Sequence, residues 1–340
     1  MDEPAFHNHS DLLADVLPII DRDGAEARIV IVKASYDIRP GEALMPSETP
    51  RAVRMGDVMW GPAHIPDIRL PADYGLAKRG TDVVLAGHAM PPSMRAQPGV
   101  DVALSVAGRV KRLRVWGARL WQRAPHGVVP GASLALTATP LAWSRAYGGL
   151  DLSDPQRPLE EARNPVGSGI ARVPAALIGT LAPQIEAPDA PIGIAGGRYV
   201  PAGCAPIGRS YAPRRLTMGT CDAAWLKHVY PARPADYRAE HENCASPDLI
   251  FDPPLQGGER VTAAGVHASA ELGFRLPRWR IAVDALIDGA LVQRRPALDT
   301  VVVDSDALIL ELVWRAIFRC PPKTRDRFTA IRVQAKEYRV

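Results

Sequence analysis

Short runs of branched apolar residues, many alternating with polar ones, recur along most of the chain. The segment "RIVIVKASYDI" groups Ile29, Val30, Ile31 and Val32, and "TDVVLAGHAM" continues the pattern. In "GVDVALSVAGRVKRLRVWGARLW" the alternate positions Val102, Leu104 and Val106 are apolar, then Leu113 and Val115. This predicts two half-buried strands turning at Gly108. After residue 257 the strands return in "RVTAAGV", "LGFRL", "RIAVDALIDGALVQ", "TVVVD" and "ALILELVWRAIF". Asp288-Gly289 between two apolar runs is the signal of a two-residue hairpin turn. One helix is well marked in "GTCDAAWLKHVYP": Thr220 or Asp222 caps a run over 223–229, and Pro231 stops it. Residues 1–27 read as a polar arm with a short helical turn. Residues 151–213 are dense in Pro and Gly and read either as a long ordered loop region over the sheet or as a linker. The expected fold is mainly β, with antiparallel sheets in a sandwich or barrel-like arrangement and few short helices. Residues 28–340 form one β-rich domain, or two lobes divided within 151–213.

Composition narrows the class of protein. The chain has 340 residues, 47% apolar and 23% charged, which is the balance of a folded chain with a full core. Its 28 glycines and 33 prolines exceed ordinary usage and favour many short elements over long helices. The formal charge of +4 is spread over scattered arginines and acids. The basic cluster at 111–114 falls on a strand-like alternation and reads as a solvated strand face, so no nucleic-acid partner is expected. The acidic start "MDEPAFHNHS" lacks the features of a secretory signal, and no run approaches a membrane span. Cys204, Cys221, Cys244 and Cys320 do not form a small disulfide framework, and a cytoplasmic location is expected.

The search for chemistry meets fragments. "RNPVGSG" at 163–169 lacks the lysine of a phosphate loop and the second half of a dinucleotide fingerprint, leaving a tight turn opened by Asn164-Pro165. His241-Glu242 begins an H-E-x-x-H pattern, but Ala245 stands where the second histidine belongs, and no C-x-x-C pair occurs. Neither a metal nor a cofactor is expected. Cys221 beside Asp222 at a helix start, with His241 as a base, is the one arrangement that would make a hydrolase. The plainer reading makes Cys221 a small packing residue and His88 a structural histidine at a strand end. Trp116, Trp121, Trp143, Trp225 and Trp314 fall inside predicted elements and read as core, or as interface where exposed.

Several blocks occur in a recognisable order: "VKASYDI" at 32–38, "KRGTDVVLAGHAMPP" at 78–92, "KRLRVWGARLW" at 111–121, "PLAWSRAYGG" at 140–149, and "RNPVGSG" at 163–169. "PAGCAPIGRSYAPRR" at 201–215, "GTCDAAWLKHVYPARPADY" at 219–237 and "ALDTVVVD" at 297–304 follow. In this order the chain resembles a domain-of-unknown-function family encoded beside type VI secretion effectors, whose members act as effector adaptors or chaperones. The resemblance implies a non-catalytic protein that binds a secreted effector and helps load it onto a VgrG spike with its PAAR or PAAR-like segment. It implies no cofactor, no turnover and no small-molecule substrate. The motif positions that become candidates for partner binding are Arg145, Gly148, Gly149, Arg163, Asn164, Pro165, Gly167, Gly169, Gly219, Thr220, Asp222, Trp225, Pro234, Asp236 and Tyr237. The chain departs from the family pattern at Ser144, Tyr211, Cys221, His241-Glu242 and Leu249, departures that bear on partner choice more than on fold. A structural part of the secretion spike is a further reading of the same composition.

Overall fold

The computed structural model describes residues 4–269, 271–319 and 328–338. Its centre is a mainly antiparallel sheet in the order Ile250–Phe251, Thr81–Ala86, Leu298–Asp304, Ile309–Arg319, Glu26–Asp37, Leu13–Ile20. Only the Thr81–Ala86 and Leu298–Asp304 pair runs parallel. The Glu26–Asp37 strand explains why this sheet is central. Its unbroken run Ile29, Val30, Ile31, Val32 is fully buried, because both of its faces are covered and both of its edges are paired.

A second, antiparallel sheet holds Ile185–Glu186, Arg109–Trp116, Gly99–Val106, Arg260–Ala264 and Leu272–Arg275. A third holds Ala5–His9, Phe328–Glu337, Trp279–Ile287 and Ala290–Arg294. The inner faces of all three meet in one core that includes Val30, Val84, Leu104, Leu113, Val283 and Val333. The fold is therefore mainly β with several antiparallel sheets, and the described strands close no barrel. The two hairpins turn where the sequence places them. Ala107-Gly108 and Asp288-Gly289 all adopt positive φ, the conformation a two-residue turn between twisted strands requires.

The amino-terminal region differs from expectation. The polar arm is not a helical turn: Ala5–His9 pairs in parallel with the last strand, and Leu13–Ile20 pairs along the whole of Ala27–Lys33. The Pro/Gly-rich region is the ordered loop region of its two readings: its Leu177, Ala182, Ile192 and Ala195 form a small core with Trp121, Val128 and Tyr147. It joins the main core through Ile185, Ala202, Cys204 and Ile207.

Candidate functional site

The turn at 163–169 is a clasp. Asn164 is fully buried, and its Nδ2 donates to the carbonyls of Trp143 (2.8 Å) and Tyr147 (3.0 Å). Its own carbonyl accepts from Gly149 N–H at 2.8 Å. One residue, through its side chain and its own carbonyl, thus fixes both ends of the "WSRAYGG" segment. The glycines are dictated by closeness. A Cβ on Gly148 would strike the Asn164 carbonyl, and one on Gly167 would lie 2.5 Å from Asn164 Nδ2. Gly149 would meet the Gly167 carbonyl at 2.7 Å, and Gly169 holds φ +99° against Pro183. Pro165 lies half-buried in the same turn. Arg163 lies outside it. Its guanidinium grips both oxygens of Glu161 at 2.7 Å and reaches the Tyr199 carbonyl at 3.0 Å. Those bonds hold the Glu161 carboxyl below its usual range. Arg145 Nη1 meets Gln184 Oε1 at 3.3 Å.

The second motif is another clasp, built around Asp236. Thr220 donates to it twice, from N–H and from Oγ1, each at 2.8 Å. Both bonds depress the Asp236 carboxyl, the backbone one more. A Cβ on Gly219 (φ +83°) would fall 2.8 Å from Asp236 Oδ1. Asp222 caps the helix Ala223–His228 by accepting from Trp225 N–H, and Trp225 Nε1 donates to the Ala232 carbonyl at 2.9 Å. Pro234 is buried, and Tyr237 donates to Glu242 at 2.8 Å. A one-turn helix, Ala212–Arg215, joins the two motifs. Ala212 N–H bonds to the Ala162 carbonyl, and Arg214 to the carbonyls of His241 and Ile207. The structure therefore brings the candidate positions into two adjoining clasps, most of whose polar groups bond to the protein itself.

What these clasps leave outside is apolar. Leu216 is 79% exposed, Leu226 62%, Val229 43% and Tyr230 64%. Leu226 lies in the helix, Val229 is its C-cap and Tyr230 follows directly, so the three exposed side chains are neighbours at the helix end. Tyr230 packs edge-on against Trp225 at 5.7 Å, which fixes its ring there. Isolated exposed leucines need no explanation, but a group held on a stapled element suits a protein contact.

The hydrolase arrangement is not assembled. Asp222 is engaged as the helix cap, and His241 is buried with Nδ1 bonded to the Arg214 carbonyl at 2.9 Å. Burial holds the His241 imidazole below its usual range. Among the described residues no hydrogen bond joins Cys221, Asp222 and His241, and no group of three potential metal ligands occurs. The packing role expected for Cys221 is corrected, since its side chain is exposed; Cys204 and Cys244 are the buried thiols, pushed up to about 12 and about 11 by burial. Cys320 lies outside the described residues. The departures expected to touch a partner are also mostly internal, because Tyr211, His241, Glu242 and Leu249 are buried. His88 behaves as a structural histidine, with Nδ1 2.9 Å from Asp306.

Sequence reasoning missed a buried ionic cluster on the far face of the central sheet. Lys33 Nζ lies 2.7 Å from Asp73 and 2.9 Å from Glu311, and Arg54 pairs with the same two acids. Arg315 meets Asp299 at 2.9 Å, and Lys78 meets Asp82 at 2.7 Å. The signal was present as single charges inside apolar strand runs, Lys33 in "IVIVKASYD" and Glu311 in "LILELVW".

No helix among the described residues is long and apolar enough to cross a membrane. No curated protein and no solved structure matches the chain. A family model, DUF2169, described as an uncharacterised protein conserved in bacteria, matches residues 23–315. The match takes in both clasps and most of the central sheet, leaving out its edge strand Leu13–Ile20, and the chain belongs to this uncharacterised bacterial family.

Proposed function

We propose that the protein is a non-catalytic adaptor that binds a secreted effector and assists its loading onto a type VI secretion spike of the VgrG/PAAR kind. The ordered motif series supports this reading, and so does the use the fold makes of the motifs. Both signature turns are spent on internal hydrogen bonds, which build a rigid platform rather than a reactive centre. The observation that carries the reading is the exposure of Leu226, Val229 and Tyr230 at the end of the Asp222-capped helix, with Leu216 also exposed just before the Asp236 clasp. A tyrosine held in place before binding is the kind of anchor that carries much of the affinity in protein interfaces, and the aliphatic neighbours exclude water around it.

The test is secretion. Deleting the gene in its host should remove one effector from the secreted fraction while leaving its intracellular synthesis intact. The wild-type gene should restore export, and a Leu226→Asp/Tyr230→Ala version should not. Unchanged export of every effector in the deletion strain refutes the proposal.

A further inference from the structure

The two outermost strands of the amino-terminal region part company over three residues. Ala5–His9 is the edge of the third sheet and Leu13–Ile20 the edge of the central sheet, so only Ser10, Asp11 and Leu12 join them. Asn8 folds this connection tightly, accepting from Ser10 N–H at 3.1 Å and donating to the Leu12 carbonyl at 2.7 Å. From that connection the two strands enter different sheets, and beside them lies an opening on the surface. The opening is a groove of about 340 Å³ lined by Pro4, Phe6, Asp15, Val16, Pro18 and Arg28.

Its walls come from both sheets. Phe6 lies opposite Ile331 in register and is 38% exposed, although Ile331 itself is fully buried. Val16 and Pro18 lie opposite Val30 and Arg28. Arg28 lines the groove together with Asp15, and among the described residues Arg28 forms no ion pair within 4 Å. The backbone borders differ. Pro18 lacks an N–H, and its carbonyl is already taken by Tyr74 Oη at 2.8 Å, so the Leu13–Ile20 edge is blunted there. Among the described residues no strand lies beside the outer edge of Ala5–His9, and all five of its residues are exposed. Every lining residue except Arg28 also precedes the family-matched region, so the groove belongs to this chain more than to the family pattern.

We propose that this groove takes an extended segment of a partner protein, which adds as a further strand beside Ala5–His9. It seats apolar side chains between Phe6 and Val16 and turns a carboxylate toward Arg28. Strand addition fits the observations because it satisfies the open backbone edge while the pocket reads alternate side chains. The contact is separate from the Leu226–Tyr230 face and does not depend on what the partner does in the cell.

The experiment is selection of a phage-displayed library of short random peptides on the full-length chain. Enriched peptides are then synthesised and measured by fluorescence anisotropy. Enrichment of alternating apolar residues with one acid is expected. Binding should weaken by about tenfold or more, the equivalent of one lost good contact, in each of Phe6→Ser and Arg28→Glu. Val16→Trp, which fills the groove and removes no contact, should also block binding. Hydrogen exchange at residues 5–9 should slow when peptide is bound. The proposal is overturned if no peptide enriches, or if enriched peptides bind all three variants as well as the wild type. It is also overturned if the chain proves to be a dimer that Phe6→Ser dissociates, since a second copy would then fill the groove. None of these results bears on effector export, so the two proposals stand or fall separately.

Discussion

Removing the Asn164 side chain distinguishes a structural clasp from a partner contact. Asn164→Ala deletes two hydrogen bonds from Nδ2 to the carbonyls of Trp143 and Tyr147, in a position with no solvent access. A typical bond contributes roughly 0.5–1.5 kcal/mol net, and each buried group left unpaired costs about 1–3 kcal/mol. The Trp143 carbonyl keeps a second donor, Ala146 N–H at 3.1 Å, which softens its loss. Asn164 Oδ1 has no partner among the described residues, so its removal gives back part of the cost. The sum is a destabilisation of about 2–4 kcal/mol. Asn164→Asp should cost more, since it replaces the donor with a carboxylate facing two carbonyls. Urea unfolding followed by tryptophan fluorescence reads the difference, because Trp143 is itself clasped. A change below about 0.5 kcal/mol, the scale of ordinary surface substitutions, with effector binding lost, would refute the clasp and make Asn164 an interface residue.

Three further outcomes follow from the same geometry. Lys33→Met leaves Asp73 and Glu311 with Arg54 as their remaining cation, and breaking a buried pair this way should cost about 3–5 kcal/mol in chemical denaturation. Burial alone would raise the Asp82 carboxyl, but Lys78 and the Cys244 N–H outweigh it and hold Asp82 below its usual range. Its folded pKa is depressed, so its contribution is present above the unfolded value of about 4 and is lost as pH falls through the folded pKa; Asp82→Asn should flatten the acid limb of a melting-temperature profile. Leu226→Asp and Tyr230→Ala should cost no more than about 1.5 kcal/mol of stability, the worth of the Trp225–Tyr230 ring pair, while abolishing co-purification of the partner.

Much of the fold was legible in the sequence because its strands obey local rules. The hairpin turns at Gly108 and Gly289 and the Asp222 cap depend on neighbours in the chain and appear where expected. The amino-terminal strands were not legible. In "LADVLPII" the charge at Asp15 and the proline at Pro18 argue against a strand, and both are tolerated only because this is a sheet edge. "AFHNH" is a strand because the far end of the chain pairs with it, a contact no local pattern encodes. The motif blocks were visible as blocks, but their purpose was not. That Gly148, Gly167 and Asn164 converge on one point follows from packing, and that Tyr211 and His241 are internal follows from the cover laid over them.

The central claim is that the chain works by binding a secreted partner through its stapled apolar face. Affinity purification of the tagged protein from its native host, beside the Leu226→Asp/Tyr230→Ala variant, tests it most directly. The account predicts a stoichiometric effector or spike protein with the wild type, and its loss from a variant that stays folded. Equal recovery of that partner by both proteins, or a wild type that purifies alone while the secretion genes are expressed, would contradict it.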